Sequence, residues 1–391
     1  MGTLRLPLKT AANPDPTAIR NVNAILDRGS NNFDLIRLLA ASGVIFGHSF
    51  YLFPTGGFRE PVTIFVRNNF SGTLAVGAFF FISGLLITRS FDISRRPLRF
   101  ASMRIARIFP GAIACLFIVT YVIGPMVTTL PVSSYILSSE ARCYFWRNAS
   151  LFLYGHGCTS LPGVFIGNRI GATPNGSLWT LAPELACYAY VLLLGWMGLT
   201  KSSLSIIVTV LSILLLHHLS PSLVPYFSDN HYTDVLKVGM FFIAGVITYA
   251  LRYVIVIRTG IFVALIVAAA ALQKTPVEEY ALYAALFYGV LVAAASSRLN
   301  RLTLPGDYSY GVYLYGYPIQ QTVQHFWPAI TSYESNLICL PVALVAGYLS
   351  WTLIERPVLD GARTLSSGKE GSISSLFRRR QFVRFPHSRL P

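Results

Sequence analysis

Residues 33 to 50 read FDLIRLLAASGVIFGHSF, an apolar run that carries Asp34 and Arg37 at one end and His48 toward the other. A run of this length crosses a hydrocarbon layer as an α-helix. Eleven residues advance such a helix by about 16 Å and three turns plus roughly 20°, so Arg37 and His48 share one face at different depths. Ala41 and Val44 lie between them on that face and are small, which leaves a groove rather than a wall. An ionisable group inside a span costs about 2.5 to 3.5 kcal/mol on insertion scales, so these side chains need an internal partner or a wet cavity. From the residues themselves two readings stand. Either Arg37 sits at headgroup level paired to Asp34 with His48 near the opposite interface, or the stripe is functional.

Outward from this stretch, apolar runs recur near 73–91, 105–127, 177–198, 203–219, 235–251, 259–273, 279–296, 308–327 and 336–354, about ten spans with the first. The composition agrees, with 53% hydrophobic and 12% charged residues and a mean hydropathy of +0.55, too little polar surface for a soluble globule. Lipid satisfies no backbone groups and no barrel-like alternation is present, so the expected fold class is all-α, a polytopic membrane protein of about ten transmembrane helices. Arg20, Arg95, Arg96, Arg99, Arg104, Lys201, Arg252, Arg258 and Arg298 fall on one side of this topology, and Glu60, Glu140, Asp229, Asp234, Glu278, Glu279 and Glu334 on the other. The positive-inside rule then puts both termini in the cytoplasm of a cell in whose inner or plasma membrane the protein resides. The expected division is a cytoplasmic segment 1–32, an integral domain 33–357, and a basic, mobile tail 358–391. The stretch before residue 33 lacks the apolar core of a cleaved signal peptide.

The net charge of +15 lines the cytoplasmic membrane face and suits anionic lipid headgroups, so no nucleic-acid partner is implied. Cys115, Cys187 and Cys339 lie within apolar spans without metal-ligand spacing, and no metal is expected. Cys143 and Cys158 share the long outer loop 128–176, where an oxidising compartment permits a disulfide that spacing alone does not decide. Tyr144, Trp146 and Tyr154 of that loop are candidates for stacking on sugar rings, and equally for an interfacial belt.

Four further stretches carry chemistry. In VGAFFFISGLLITRSF, residues 76–91, Ser83 and Gly84 allow close helix contact. After it Arg95, Arg96, Arg99, Arg104 and Arg107 cluster; they serve topology and headgroups, or the phosphates of a nucleotide-like donor. In NGSLWTLAPELACYAY, residues 175–190, Asn175 and Ser177 are cap candidates, and Glu184 falls about two turns into a helix entered from the outer side. It is expected near the depth of His48, either orienting a histidine base or neutralising a cation such as His48 or Arg169. Residues 306–326, GDYSYGVYLYGYPIQQTVQHF, hold more tyrosines than one belt requires. The last span ends in WTLIERPVLD, where Glu355 and Arg356 are expected as an interfacial pair and Pro357 as the stop.

Six of these pieces occur in one order: the Arg-x10-His of RLLAASGVIFGH, FFFISGLLI, RIARIFP, NGSLWTLAPELACY, DYSYGVYLYGYPIQQ and ERP. Together they resemble the acyltransferase 3 family of membrane O-acyltransferases, whose members acetylate lipopolysaccharide O-antigens, nodulation factors and other surface glycans. The resemblance implies that His48 is a catalytic base or acyl relay with Arg37 essential beside it, and that Glu184 holds the family's acidic position. It implies acetyl-CoA as cytoplasmic donor, docked on the run with Arg104 and Arg107, and a glycan or lipid-linked saccharide as acceptor. APE after SLWTL departs from the bulkier pair common there. Two other classes share the gross pattern. A secondary transporter would use Arg37 and His48 as an ion or proton relay but should show a two-fold repeat. A glycan polymerase or flippase should cluster its arginines outside. Oligomeric state is unconstrained.

Overall fold

The computed structural model describes residues 20–27, 31–66, 69–151, 158–202, 204–212, 215, 232–302 and 304–366. Among them every regular element is helical, and β pairing is confined to isolated bridges. The long helices are α1 (Phe33–Leu52), α2 (Ser71–Ser94), α3 (Pro97–Ile118), α4 (Ser139–Ala149), α5 (Leu181–Trp196), α6 (Tyr232–Ala250), α7 (Thr259–Ala271), α8 (Glu278–Ala295), α9 (Ser309–Phe326), α10 (Ser332–Ser350) and α11 (Arg356–Ser366). Six stretches are long and apolar enough to cross a membrane: Phe33–Leu52, Ser71–Ser94, Pro97–Val127, Gly176–Trp196, Glu278–Ala295 and Ser332–Ser366. Of the other four expected spans, 235–251 and 308–327 fall on α6 and α9, and 259–273 falls on the 13-residue α7. Of the expected span 203–219, residues 204–212 and 215 are described and helical, and the rest lies outside the described residues. In α9 the shortfall in apolarity has a plain cause, since Gln320, Gln321 and Gln324 are buried inside the protein.

Chain contacts divide the protein into two compact units. The smaller one, Met1–Phe33 with Leu251–Thr303, holds α7 and α8. Its leading strand of chain pairs with the segment before α7 through Val22 N–H to Ile255 O at 3.1 Å and Ile257 N–H to Arg20 O at 2.8 Å. The Asn32 amide then donates to Ala293 O and Ser296 O at 3.0 and 2.9 Å, tying residue 32 to the end of α8.

The larger unit, Asp34–Ala250 with Leu304–Pro391, contains all the expected site residues. Lipid tails offer no hydrophobic drive between helices, so close packing and polar clasps must hold them together. Gly84 of α2 faces α6 so closely that a methyl group there would meet Phe242 O at 1.9 Å, and Gly245 returns the fit against Phe81 O. The small-residue contact expected at 83–84 is thus a backbone-to-backbone seam. Beside α1, α9 runs in the same direction, and α10 closes a core of Ala41, Ile45, Leu52, Val312, Tyr317, Cys339 and Ala343. Polar side chains clasp the upper half of α1. Gln320 donates to Ile45 O at 2.8 Å, Asn336 to Ser49 Oγ at 2.6 Å, and Gln324 to Leu52 O. Such interhelical bonds average about 0.6 kcal/mol each in membranes.

Two π turns interrupt helices, Val119–Ile123 after α3 and Trp351–Glu355 after α10. Each ends two residues before a proline, Ile123 before Pro125 and Glu355 before Pro357. A proline ring collides with the carbonyl four residues back and brings no N–H, and a widened turn removes both difficulties. Pro357 therefore does not stop the helix as expected. The chain continues as α11, which packs on α3 with Leu359 buried, so residues 358–366, expected in the tail, are helical. Glu355 is not interfacial either. The wide turn directs it inward, where it is fully buried, and Arg356 pairs instead with Asp360 at 3.7 Å.

In the loop between α3 and α5, Ser138 caps α4 by accepting from Ala141 N–H, and Cys143 and Cys158 form a disulfide with Cα atoms 6.0 Å apart. Closing a loop of this size stabilises a chain by about 3 kcal/mol in the entropy model. Of the sugar-stacking candidates, Tyr144 is buried, Trp146 is exposed, and Tyr154 lies outside the described residues.

Candidate active site

Arg37 leaves α1 one turn from its start and reaches Asp307, in the loop before α9, with Nη1 2.8 Å from Oδ2. The same carboxylate oxygen accepts from Arg107 Nη2 of α3 at 2.5 Å, and Ser309 Oγ donates to Oδ1 at 2.5 Å. Arg107 is held on its other edge by Glu355 Oε2 at 2.8 Å, whose Oε1 accepts from Ser350 Oγ at 2.8 Å. The rings of Tyr310 and Trp351 lie under its guanidinium, each 5.4 Å from the centroid. Burial by itself would raise the Asp307 carboxyl, but the two guanidiniums outweigh it and hold its pKa at about 2. Arg37 thus pairs with Asp307, in a network that joins α1, α3, the loop before α9 and the turn after α10.

Glu184 lies beside this network rather than beside His48. Its charge neighbours are Arg37, Arg104 and Arg107, and its Oε1 accepts the hydroxyl of Tyr188 one turn on. The expected pairing with His48 fails because α5 starts deep. Asn175 is buried and donates to Leu314 O in the middle of α9 at 3.1 Å while accepting from Ser177 N–H at 3.0 Å. Ser177 O in turn accepts from the Tyr313 hydroxyl at 3.1 Å. The chain has thus already descended among the helices before its first helical turn, and two further turns carry Glu184 to the level of Arg37.

Arg37 and Glu184 line one cavity, with about 470 Å³ of empty space including its open mouth. Tyr310, Thr180 and Ser83 add polar groups, while Val76, Phe79, Leu181 and Tyr313 supply an apolar wall. Arg104 approaches the same group of charges. Its guanidinium lies 5.7 Å from the Phe100 ring and 5.9 Å from the Tyr188 ring, and its Nε is buried with no hydrogen-bond partner among the described residues. The arginine run therefore divides. Arg104 and Arg107 turn inward, whereas Arg95, Arg96 and Arg99 stay exposed around the α2–α3 turn, where Arg95 adopts a left-handed φ of 46°.

His48 sits three turns beyond Arg37 on α1, half-buried, outside the cavity lining. Its ring meets the edge of Tyr317 with centroids 5.5 Å apart, and Phe70 lies 5.8 Å away on tilted planes. Tyr310, Tyr313 and Tyr317 follow the spacing i, i+3, i+7 and so face one way along α9. They run from the Arg107 cation, through the cavity wall, to the His48 ring, which accounts for three of the surplus tyrosines. No group of three or more His, Cys, Asp or Glu arranged to hold a metal occurs among the described residues. Sequence reasoning missed Asp307 and Tyr188. The one available signal for Asp307 was an acidic residue directly before an inward-facing tyrosine helix.

The family model described as "Acyltransferase domain", that of acyltransferase 3, matches residues 30–356. An "O-acetyl transferase" of Shigella phage Sf6 is 28% identical over 341 residues, covering 84% of this chain and 96% of the relative. "Nodulation protein 10" of Rhizobium leguminosarum bv. viciae is 27% identical over 363 residues, covering 84% of this chain and 93% of the relative. No solved structure matches. The family match spans the helix of Arg37 and His48, the cavity with Glu184 and the Asp307–Glu355 network, and on it the chain belongs to the acyltransferase 3 family of membrane acyltransferases.

Proposed function

We propose that this protein moves an acyl group, acetyl in the first instance, from cytoplasmic acyl-CoA to a hydroxyl of a cell-surface or lipid-linked glycan. The observation that carries the reading is the cavity lined by Arg37 and Glu184, with the unpartnered Nε of Arg104 nearby and His48 three turns beyond Arg37 on α1. Both termini are assigned to the cytoplasm, so the Arg37 end of α1 faces the donor and the His48 end faces the acceptor. A disulfide in the 128–176 loop fits an oxidising outer compartment.

In this reading Arg104 and the exposed Arg95, Arg96 and Arg99 attract the donor's phosphates, since guanidinium forks match phosphate oxygens. The extended arm enters past Arg37 and lies against Phe79, Leu181 and Tyr313. Unprotonated His48 takes the proton of the attacking sugar hydroxyl, the new C–O bond forms as the C–S bond breaks, and the leaving thiolate is finally protonated. In a two-step variant His48 first accepts the acyl group and then yields it to the hydroxyl. Arg37, about 16 Å from His48 by helical rise, holds the donor's arm on its way to the thioester and does not touch the reacting atoms.

Membranes containing the protein should release coenzyme A from acetyl-CoA. His48→Ala should abolish surface-glycan acylation at a normal protein level, and unaltered acylation would sink the assignment. Mass analysis of surface glycans with and without the gene identifies acceptor and acyl group together. Ion or solute movement without coenzyme A release would favour a transporter that uses Arg37 and His48 as a relay.

A further inference from the structure

Asp307, at the centre of the Arg37 network, is assigned no role in the transfer proposed above. Asp307 lies in a short loop, yet its side chain is only 15% exposed and a single oxygen serves two arginines from two helices. We propose that Asp307 is a positioning residue for the acyl transfer, holding the Arg37 guanidinium toward the cavity by its Oδ2 contact; the proposal rests on the acyl-CoA reading above.

The geometry supports this in three ways. First, Asp307 is itself fixed at both ends. Ser309 donates to Oδ1, and Arg107, on Oδ2, is gripped from behind by Glu355 and Ser350, so the anchor does not swing. Second, the contact occupies Nη1 of Arg37 and leaves its buried Nε without a hydrogen-bond partner among the described residues, so the guanidinium keeps donors for a bound group. Third, Asp307 is the carboxylate of this site that two guanidiniums hold ionised, and removing its charge would leave the site more positive while releasing Arg37.

That third point separates positioning from mere structural support. An anionic donor should bind a more positive site at least as well, whereas a misoriented Arg37 no longer aligns the donor's arm toward His48 and should slow transfer from the bound donor. The full-length protein, as wild type, Asp307→Asn and Asp307→Glu, is assayed for coenzyme A release from acetyl-CoA, with envelope membranes supplying the acceptor. The thermal midpoint of each protein is recorded alongside. Asp307→Asn should lower kcat by about 30-fold with KM for acetyl-CoA unchanged or reduced, and Asp307→Glu should recover a third or so of the wild-type kcat. The proposal is overturned by an Asp307→Asn kcat within about threefold of wild type, or by a raised KM as the main effect. An Asp307→Glu protein no better than Asp307→Asn, or an Asp307→Asn protein that does not accumulate, also overturns it. Wild-type protein that releases no coenzyme A refutes the acyl-CoA reading itself, whereas wild-type release with an unaffected Asp307→Asn refutes only the role of Asp307.

Discussion

Arg104 carries a buried Nε that no described residue satisfies, and a buried unpaired donor on a cation is costly enough to require an explanation. A bound phosphate supplies one. Replacing Arg104 with Gln should then raise KM for acetyl-CoA by about tenfold while leaving the rate at saturating donor within a factor of about three. An equal loss in both parameters would place Arg104 in the chemistry instead of in docking. Single residues were legible in the sequence to different degrees. Arg37 and His48 stood out because ionisable groups in a span are expensive and their spacing fixed a common face. Asp307 did not stand out, because its partners are 270 and 200 residues away in the chain and its one local mark is its place directly before a tyrosine-rich helix. Glu184 was recognised as unusual, but its depth depends on how far Asn175 descends along α9, a tertiary fact that no helical periodicity contains.

At the scale of elements, the turn Trp351–Glu355 connects backbone geometry to the site. Glu355 reaches Arg107 because the chain there is wound with one extra residue, and the following Pro357 prevents that turn from tightening. Replacing Pro357 with Ala restores an N–H and removes the ring, so an ordinary α-turn becomes available. One residue corresponds to about 100° of helix rotation, enough to carry Glu355 off Arg107 if the turn tightens. Pro357→Ala should therefore lose about tenfold or more in coenzyme A release while the protein stays in the membrane. Full activity would show that the wide turn is held by packing alone. The sequence marked Pro357 as a helix end by the ordinary rule for soluble helices. Inside a bundle, neighbours and local widening re-satisfy the freed backbone groups, and the helix passes through. The close seam of α2 on α6, by contrast, was readable from Ser83 and Gly84, since only a residue without a Cβ permits the approach to Phe242 O.

For the whole molecule, the all-helical class followed from composition, and the apolar runs fell on helices wherever the chain is described. The inward-facing polarity of α9 was hidden, because an amide that clasps Ile45 O looks in sequence like a break in a span. One consequence concerns reach. Arg37 and His48 stand on one unbroken helix whose upper half is clamped at Ile45, Ser49 and Leu52, so the separation of the two groups, about 16 Å by helical rise, does not change as the protein moves. The helix acts as a measuring rod, and the donor must bring a tether long enough to match it. Acetyl-CoA should work, whereas the acetyl thioester of N-acetylcysteamine, which has the same reactive bond on a short stub, should give little transfer even when its concentration is raised about a hundredfold. Efficient use of the short thioester would mean that the acyl group does not travel along α1 and that His48 meets its donor from another side.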